Sequence, residues 1–166
     1  MLSVAGPSDI AAIMEIESMP AYRDLVGSWT RERHLEETAL ASSCYFTLRK
    51  GEWLEGFALV QGLGDPDLKV HLKRIAVREP GRGTGSELLR GVVDTLFGET
   101  RTNRIDLDVF VGNERAKRAY EKAGFTAEGV LRDWHRNADG SFSSMWMMSI
   151  LRRDWQESGS VPHFQA

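Results

Sequence analysis

The sequence predicts an α/β (α+β) fold on one mixed β-sheet flanked by helices, with at least one parallel strand pair bridged by a helix. Three observations carry this expectation. Strand-like stretches come first, a strand–helix–strand–helix passage follows, and two strand-like stretches close the chain; the middle passage demands a crossover connection. A glycine-rich segment, VREPGRGTGSELL (residues 77–89), separates a β-branched strand from an amphipathic run. The 166 residues, 42% hydrophobic and 27% charged, suit one domain whose core needs no staples. We therefore expect a single domain over residues 1–155 and a frayed tail over 156–166.

Each element has its own signal. LSVA reads as a short first strand, ended by Gly6 and Pro7. Ser8 or Asp9 is placed to cap a helix through IAAIMEIE, where Ile10, Ile13, Met14 and Ile16 or Glu17 share helical spacing. Thr30 is the expected cap of a second helix, RERHLEETALAS. CYFTLRK and WLEGFALVQG, joined at Gly51, read as an antiparallel pair, and GDPD turns into the long strand LKVHLKRIAV. After the glycines, Leu88, Leu89, Val92, Val93, Leu96 and Phe97 define a helix with one buried face. RIDLDVFV is a strand, and NERAKRAYEKAG a helix stopped by Gly124. FTAEGVLRDW and FSSMWMMSIL form a closing hairpin turned at Asp139-Gly140.

Composition removes several classes of function. A net charge of −3 gives no global field for nucleic acid. No apolar run is long enough to cross a bilayer, and the N-terminus lacks the basic start and apolar block of a signal peptide, so the expected compartment is the cytoplasm. The single cysteine, Cys44, excludes a disulfide framework and a thiolate zinc site; no metal is expected. It lies in CYFTL, where a buried, inert thiol is expected.

A strand, a bare glycine loop and a helix N-terminus make an anion site, because first-turn N–H groups lack intrahelical partners and the helix dipole favours negative charge. Spacing tests the guest. A dinucleotide fingerprint starting at Gly81 or Gly83 would put its last glycine where Ser86 or Leu88 stands. A Walker loop needs Gly-Lys-Ser/Thr, and Gly85 is followed by Ser86-Glu87. The loop therefore suits a phosphate compound gripped mainly by backbone N–H groups.

LKRIAVREPGRGTGSELL resembles the coenzyme A loop of the GNAT superfamily of acetyl-CoA-dependent N-acetyltransferases. Gly83 and Gly85 match its two required glycines, while Pro80 stands where Gln or Arg is usual, a place that Arg78 or Arg82 is positioned to compensate. LDVFVGNERAKRAYEKAGF is similar to a second family motif through Asn113, Ala116, Tyr120, Gly124 and Phe125. The resemblance spans residues 68–153, and EGVLRDWHRNADG is similar, more loosely, to the group acting on amino acids and protein N-termini. It implies a GNAT-like sheet with a V-shaped splay between two parallel strands, and acetyl transfer to a primary amine in a ternary complex. The amine is an amino acid-like small molecule or a peptide N-terminus. Polyamine or aminoglycoside acetylation, a different acyl group, and a non-catalytic CoA sensor are the alternatives.

The resemblance also implies roles. Backbone N–H groups of Arg82, Gly83, Thr84, Gly85 and Ser86 meet the pyrophosphate. Ile75, Ala76 and Val77 pair with the pantetheine arm, and the Val77 N–H faces the thioester oxygen. Asn113 and Ala116 complete the cofactor wall. One or two of Arg115, Lys117, Arg118 and Lys122 pair with the 3′-phosphate. Tyr120 is the acid for the departing thiolate. Asp108, five residues before Asn113, stands where ribosomal-protein acetyltransferases of the family carry a glutamate base. Asp106 shares its strand face, and two neighbouring carboxylates would raise one another. Glu17, Glu36, Glu37 and His135 are weaker base candidates. Alternation puts His71, Lys73 and Ile75 on one face, so His71 or Lys73 is expected to face the substrate or solvent. Tyr22, Trp29, Arg132 and Trp134 are candidate acceptor contacts; Trp29 and Trp134 serve equally as core and homodimer contacts. Such a lining suits a carboxylated amine, whereas an acidic one from Glu32, Glu36 and Glu37 suits a polyamine.

Overall fold

A computed structural model describes residues 1–22, 25 and 28–159. Among these, β1 (Leu2–Val4), β2 (Ser43–Lys50), β3 (Trp53–Gln61), β4 (Lys69–Val77), β5 (Arg104–Phe110), β6 (Thr126–Arg136) and β7 (Phe142–Leu151) form one sheet. Its order is β1-β2-β3-β4-β5-β7-β6, and β4–β5 is its parallel pair. The helices are α1 (Ile10–Glu17), α2 (Arg31–Thr38), α3 (Thr84–Glu99), α4 (Glu114–Lys122) and α5 (Arg152–Glu157).

Strand alternation builds two cores from single strands. Phe46, Leu48, Ala58 and Val60 pack with Leu88, Leu89, Val92, Val93, Leu96 and Phe97 of α3. Their alternates Tyr45, Phe57 and Leu59 pack with Ile10, Ile13 and Ile16 of α1. Helices therefore cover both faces of the sheet, and each fully buried apolar side chain contributes about 1.5–3 kcal/mol.

Three local expectations are corrected. Neither Ser8 nor Asp9 caps α1 through its side chain; Pro7 starts a 3-10 turn (Pro7–Asp9), so Asp9 is already helical and its carboxylate accepts the Gly6 N–H at 2.9 Å. Thr30 does cap α2, accepting the Arg33 N–H at 3.2 Å, but the helix stops at Thr38. There Ala39 and Leu40 bond back only three residues, to Glu36 and Glu37, and this tightening turns the chain into β2. Near the C-terminus, α5 runs past residue 155, with Trp155 buried and its indole donating to Asp94 at 2.7 Å. Residues 160–166 of the expected tail lie outside the described residues.

The opening in the sheet follows from its pairing. β4 and β5 pair only at Lys69↔Arg104, Val70↔Ile105 and His71↔Asp106. Beyond that point β4 stays with β3 and β5 with β7. A register shift between Leu59 and Val60 bends the β3–β4 side as the split begins. Gly56 holds β4 close: a Cβ there would lie 2.7 Å from Val77 Cγ1 and 2.9 Å from the Ala76 carbonyl.

Candidate active site

The split opens into a cleft of about 1090 Å³. Its β4 wall is an unpaired strand edge. The Arg78 N–H donates to the Glu55 carbonyl at 2.7 Å, so alternation turns the polar backbone of Val77, and of Ile75, away from β3 and toward the gap. At Val77 this edge already has a partner. The Tyr22 hydroxyl donates to the Val77 carbonyl at 2.8 Å and accepts from the Val77 N–H at 3.0 Å. The N–H expected to face a thioester oxygen is thus held by a side chain 55 residues earlier in the chain.

The glycine loop closes one end. Gly81 and Gly83 have φ of 90° and 85°, with open space where a Cβ would project, which is left-handed backbone that other residues adopt at a cost. Gly83 is the N-cap of α3 and offers no side chain, leaving the first-turn N–H groups for a ligand. Pro80, Gly81, Gly83, Gly85 and Ser86 line the cleft, whereas buried Thr84 and exposed Arg82 do not. Beside Pro80, Arg82 pairs with Glu79 at 2.9 Å, and Arg78 binds Glu15 and the Leu54 carbonyl, each at 2.8 Å. The cation in the lining near the loop is Arg115 of α4; Lys122 lies exposed and outside it, and Lys117 pairs with Glu121 at 2.8 Å.

α4 forms the opposite wall. Asn113 caps it, its side chain accepting the Ala116 N–H at 3.2 Å, and Asn113, Ala116, Ala119 and Tyr120 present one face to the cleft. The Tyr120 ring packs on Phe125, 5.8 Å between centroids. Burial first, then the charge of Asp108 and the proximity of Tyr22, push its phenol well above the usual range, so it keeps its proton at any working pH.

Asp108 lines the cleft from β5. The expected mutual raising of Asp106 and Asp108 is reversed, because His71 stands between them. Its Nδ1 is 2.7 Å from Asp106 Oδ1 and its Nε2 is 3.4 Å from Asp108 Oδ1. Hydrogen bonding to His71 holds the Asp108 carboxyl below its ordinary range, against the opposing effect of burial. Burial pushes Asp106 up, but bonds from His71 and Arg104 prevail and it too is lowered. His71 is therefore absent from the cleft lining, while its face-mate Lys73 is present. The Trp134 indole donates to Asp108 Oδ2 at 3.2 Å, and Arg132 lies on β6 away from the cleft.

The cleft is also lined by Tyr22, Leu25, Ser28, Trp29, Arg74 and the β6–β7 turn. Residues 23, 24, 26 and 27 of the expected acceptor stretch lie outside the described residues. Of the weaker base candidates, His135 lines the cleft. Glu17 is consumed by Arg74 at 2.9 Å and His34 at 3.1 Å, and Glu37 by Arg33, Ser43 and Gln61. Exposed Glu32 and Glu36 also lie outside the lining. Sequence reasoning missed Arg74, Phe110, Asn137 and Asp139, which line the cleft. Nothing local marks a hairpin turn as a cleft wall. No cluster of three or more metal-ligating side chains occurs among the described residues, and none of their helices is long and apolar enough to cross a membrane.

The model of the acetyltransferase (GNAT) family matches residues 10–125. A kanamycin resistance protein of Rhizobium radiobacter is 33% identical over 85 residues, 51% of this chain and 73% of that protein. An aminoglycoside N(6′)-acetyltransferase type 1 of Klebsiella pneumoniae is 41% identical over 51 residues, 31% of this chain and 25% of that protein. A solved spermidine N-acetyltransferase of Vibrio cholerae, in complex with CoA and spermine, superposes with a TM-score of 0.82 at 18% identity, covering 94% of this chain and 97% of that one. At that identity the likeness establishes the fold.

Proposed function

Because this chain belongs to the acetyltransferase (GNAT) family, we propose that it moves an acetyl group from acetyl-CoA to a primary amine held where β4 and β5 part. One observation carries the reading: a bare helix N-terminus, an unpaired strand edge, a protonated phenol and an ionised carboxylate converge on one cleft. Residues of these types fit coenzyme A. The first-turn N–H groups of α3 suit a pyrophosphate, the Ile75–Val77 edge suits the amides of a pantetheine arm, and Arg115 suits a further phosphate. When bound, acetyl-CoA supplies an activated thioester.

The chain's own residues supply the rest. Tyr120 gives its proton to the departing sulfur. The step is uphill, because a thiol titrates near 8.5 and a free phenol near 10, and the burial of Tyr120 adds to the gap. Asp108, held below its ordinary range, stays ionised and attracts the ammonium; the same lowering makes it a weak proton acceptor, so the amine's proton leaves along water to solvent. An α-amine titrating near 8 costs about 1.4 kcal/mol to free at pH 7, against about 4.6 kcal/mol for a lysine-like amine near 10.4. Lys73 and Trp29 in the lining favour a small carboxylated amine or peptide N-terminus as acceptor. Asp108 and Asp139 in the same lining favour a second reading, a polyamine or aminoglycoside.

Thiol release from acetyl-CoA, measured across amino acids, short peptides, polyamines and aminoglycosides, tests both. Turnover confined to one class names the acceptor. Tight CoA binding with no turnover on any class would replace the enzyme by a CoA sensor.

A further inference from the structure

We infer that His71 is a positioning residue for this transfer: from the vertex of the split it clamps Asp108 in one ionised orientation toward the acceptor amine. The inference rests on the acetyltransferase reading of the cleft.

The geometry comes first. His71↔Asp106 is the last parallel pair before the strands part. Asp108 is the next residue on the same face of β5 and the first carboxylate inside the cleft. His71 thus spans the point where the sheet stops tying the strands together. Its Nδ1 faces Asp106 Oδ1 at 2.7 Å and its Nε2 faces Asp108 Oδ1 at 3.4 Å. A neutral imidazole has one donor and one acceptor, and an ionised carboxylate only accepts. Only the doubly protonated ring satisfies both neighbours at once.

The surroundings agree. Arg104 Nε lies 3.1 Å from Asp106 Oδ2, and its two terminal nitrogens bind Glu128 of β6 at 2.7 and 2.8 Å. Glu128, Arg104, Asp106, His71 and Asp108 therefore alternate in sign along a ladder that ends in the cleft. Trp134 holds the second Asp108 oxygen at 3.2 Å, so the carboxylate is fixed from both sides. Lys69 and Lys73 on β4 add positive charge near Asp106 and Asp108, and Tyr120 on α4 lines the same cleft as Asp108. Burial alone would lower the imidazole, but bonds to Asp106 and Asp108 outweigh it and raise it to about 9.

The test is an NMR titration of the His71 imidazole and of the Asp108 carboxyl in the full chain. In the wild type the ring keeps its second proton to about pH 9. In Asp108→Asn its midpoint falls by about one unit or more toward the ordinary 6.5. In His71→Gln the Asp108 carboxyl titrates about one unit higher than in the wild type, while CoA affinity stays within about twofold. A packing role alone would leave that carboxyl in place. An unmoved carboxyl, or an imidazole midpoint indifferent to Asp108→Asn, overturns the clamp. If His71→Gln fails to fold, the titration of the wild type against Asp108→Asn decides alone. An intact coupling without thiol release on any amine would sustain the clamp and refute acetyl transfer; turnover without coupling would do the reverse.

Discussion

Two histidine–carboxylate clusters sit within a few residues of each other along β4, and they differ in access. In the first, His34 meets Glu17 at 3.1 Å and the Tyr45 hydroxyl at 2.7 Å, while Glu17 binds Arg74 at 2.9 Å. Trp29 covers it, 4.0 Å from the Arg74 guanidinium to the ring centroid. Glu17, His34 and Arg74 are 1%, 0% and 7% exposed. In the second, the side chains of His71, Asp106 and Asp108 are 30%, 17% and 16% exposed, and Asp108 lines the cleft. The chemistry of the groups is nearly the same. Sealing turns one set into a strut between α1, α2 and β4, whereas a partly open position leaves the other able to answer a ligand or a proton.

That contrast can be broken by measurement. The largest effect belongs to the sealed set. Arg74→Met leaves Glu17 buried without its main counter-charge and should cost about 3–5 kcal/mol in urea denaturation; a loss below about 1 kcal/mol would show the cluster to be less sealed than its burial implies. Next is Tyr120→Phe, expected to lower kcat by about 100-fold, with stability almost unchanged and CoA affinity within about twofold. An unchanged kcat would remove Tyr120 as the acid. Third is the pH dependence of stability from His71. Its folded pKa is raised from 6.5 to about 9, so its stabilisation is full below 6.5 and is lost as pH rises through about 9. The loss should be on the order of 2 kcal/mol and absent from His71→Gln; identical curves for the two proteins would sink it. The smallest is Trp134→Phe, which removes one donor to Asp108 and should lower kcat/KM by about threefold to tenfold.

Much of this was legible in local sequence. The three-and-four spacing of Leu88 to Phe97 marked α3, Asn113 marked the start of α4, and the glycines marked a loop built for close approach. These signals are local because periodicity, capping and positive φ are set within a few residues. The hidden parts rest on contacts across the chain. Asp9 failed as a cap because Pro7 had already begun a helical turn. Asp106 and Asp108 looked like mutually raising carboxylates until the register set His71 between them. Glu17 looked like a base candidate, but Arg74, 57 residues away, claims it. No pattern in β4 says that its next parallel partner will leave after three pairs.

The Tyr22 hydroxyl has a thermodynamic consequence of its own. It satisfies both polar groups of Val77 in the free chain. A ligand amide that pairs with Val77 therefore enters by exchange against a competitor tethered to the same molecule, present at high effective concentration at any dilution. Two hydrogen bonds are lost for two gained, so this contact fixes register and adds little affinity. At the first turn of α3, by contrast, no side chain among the described residues caps the helix, so a ligand there displaces no such internal competitor.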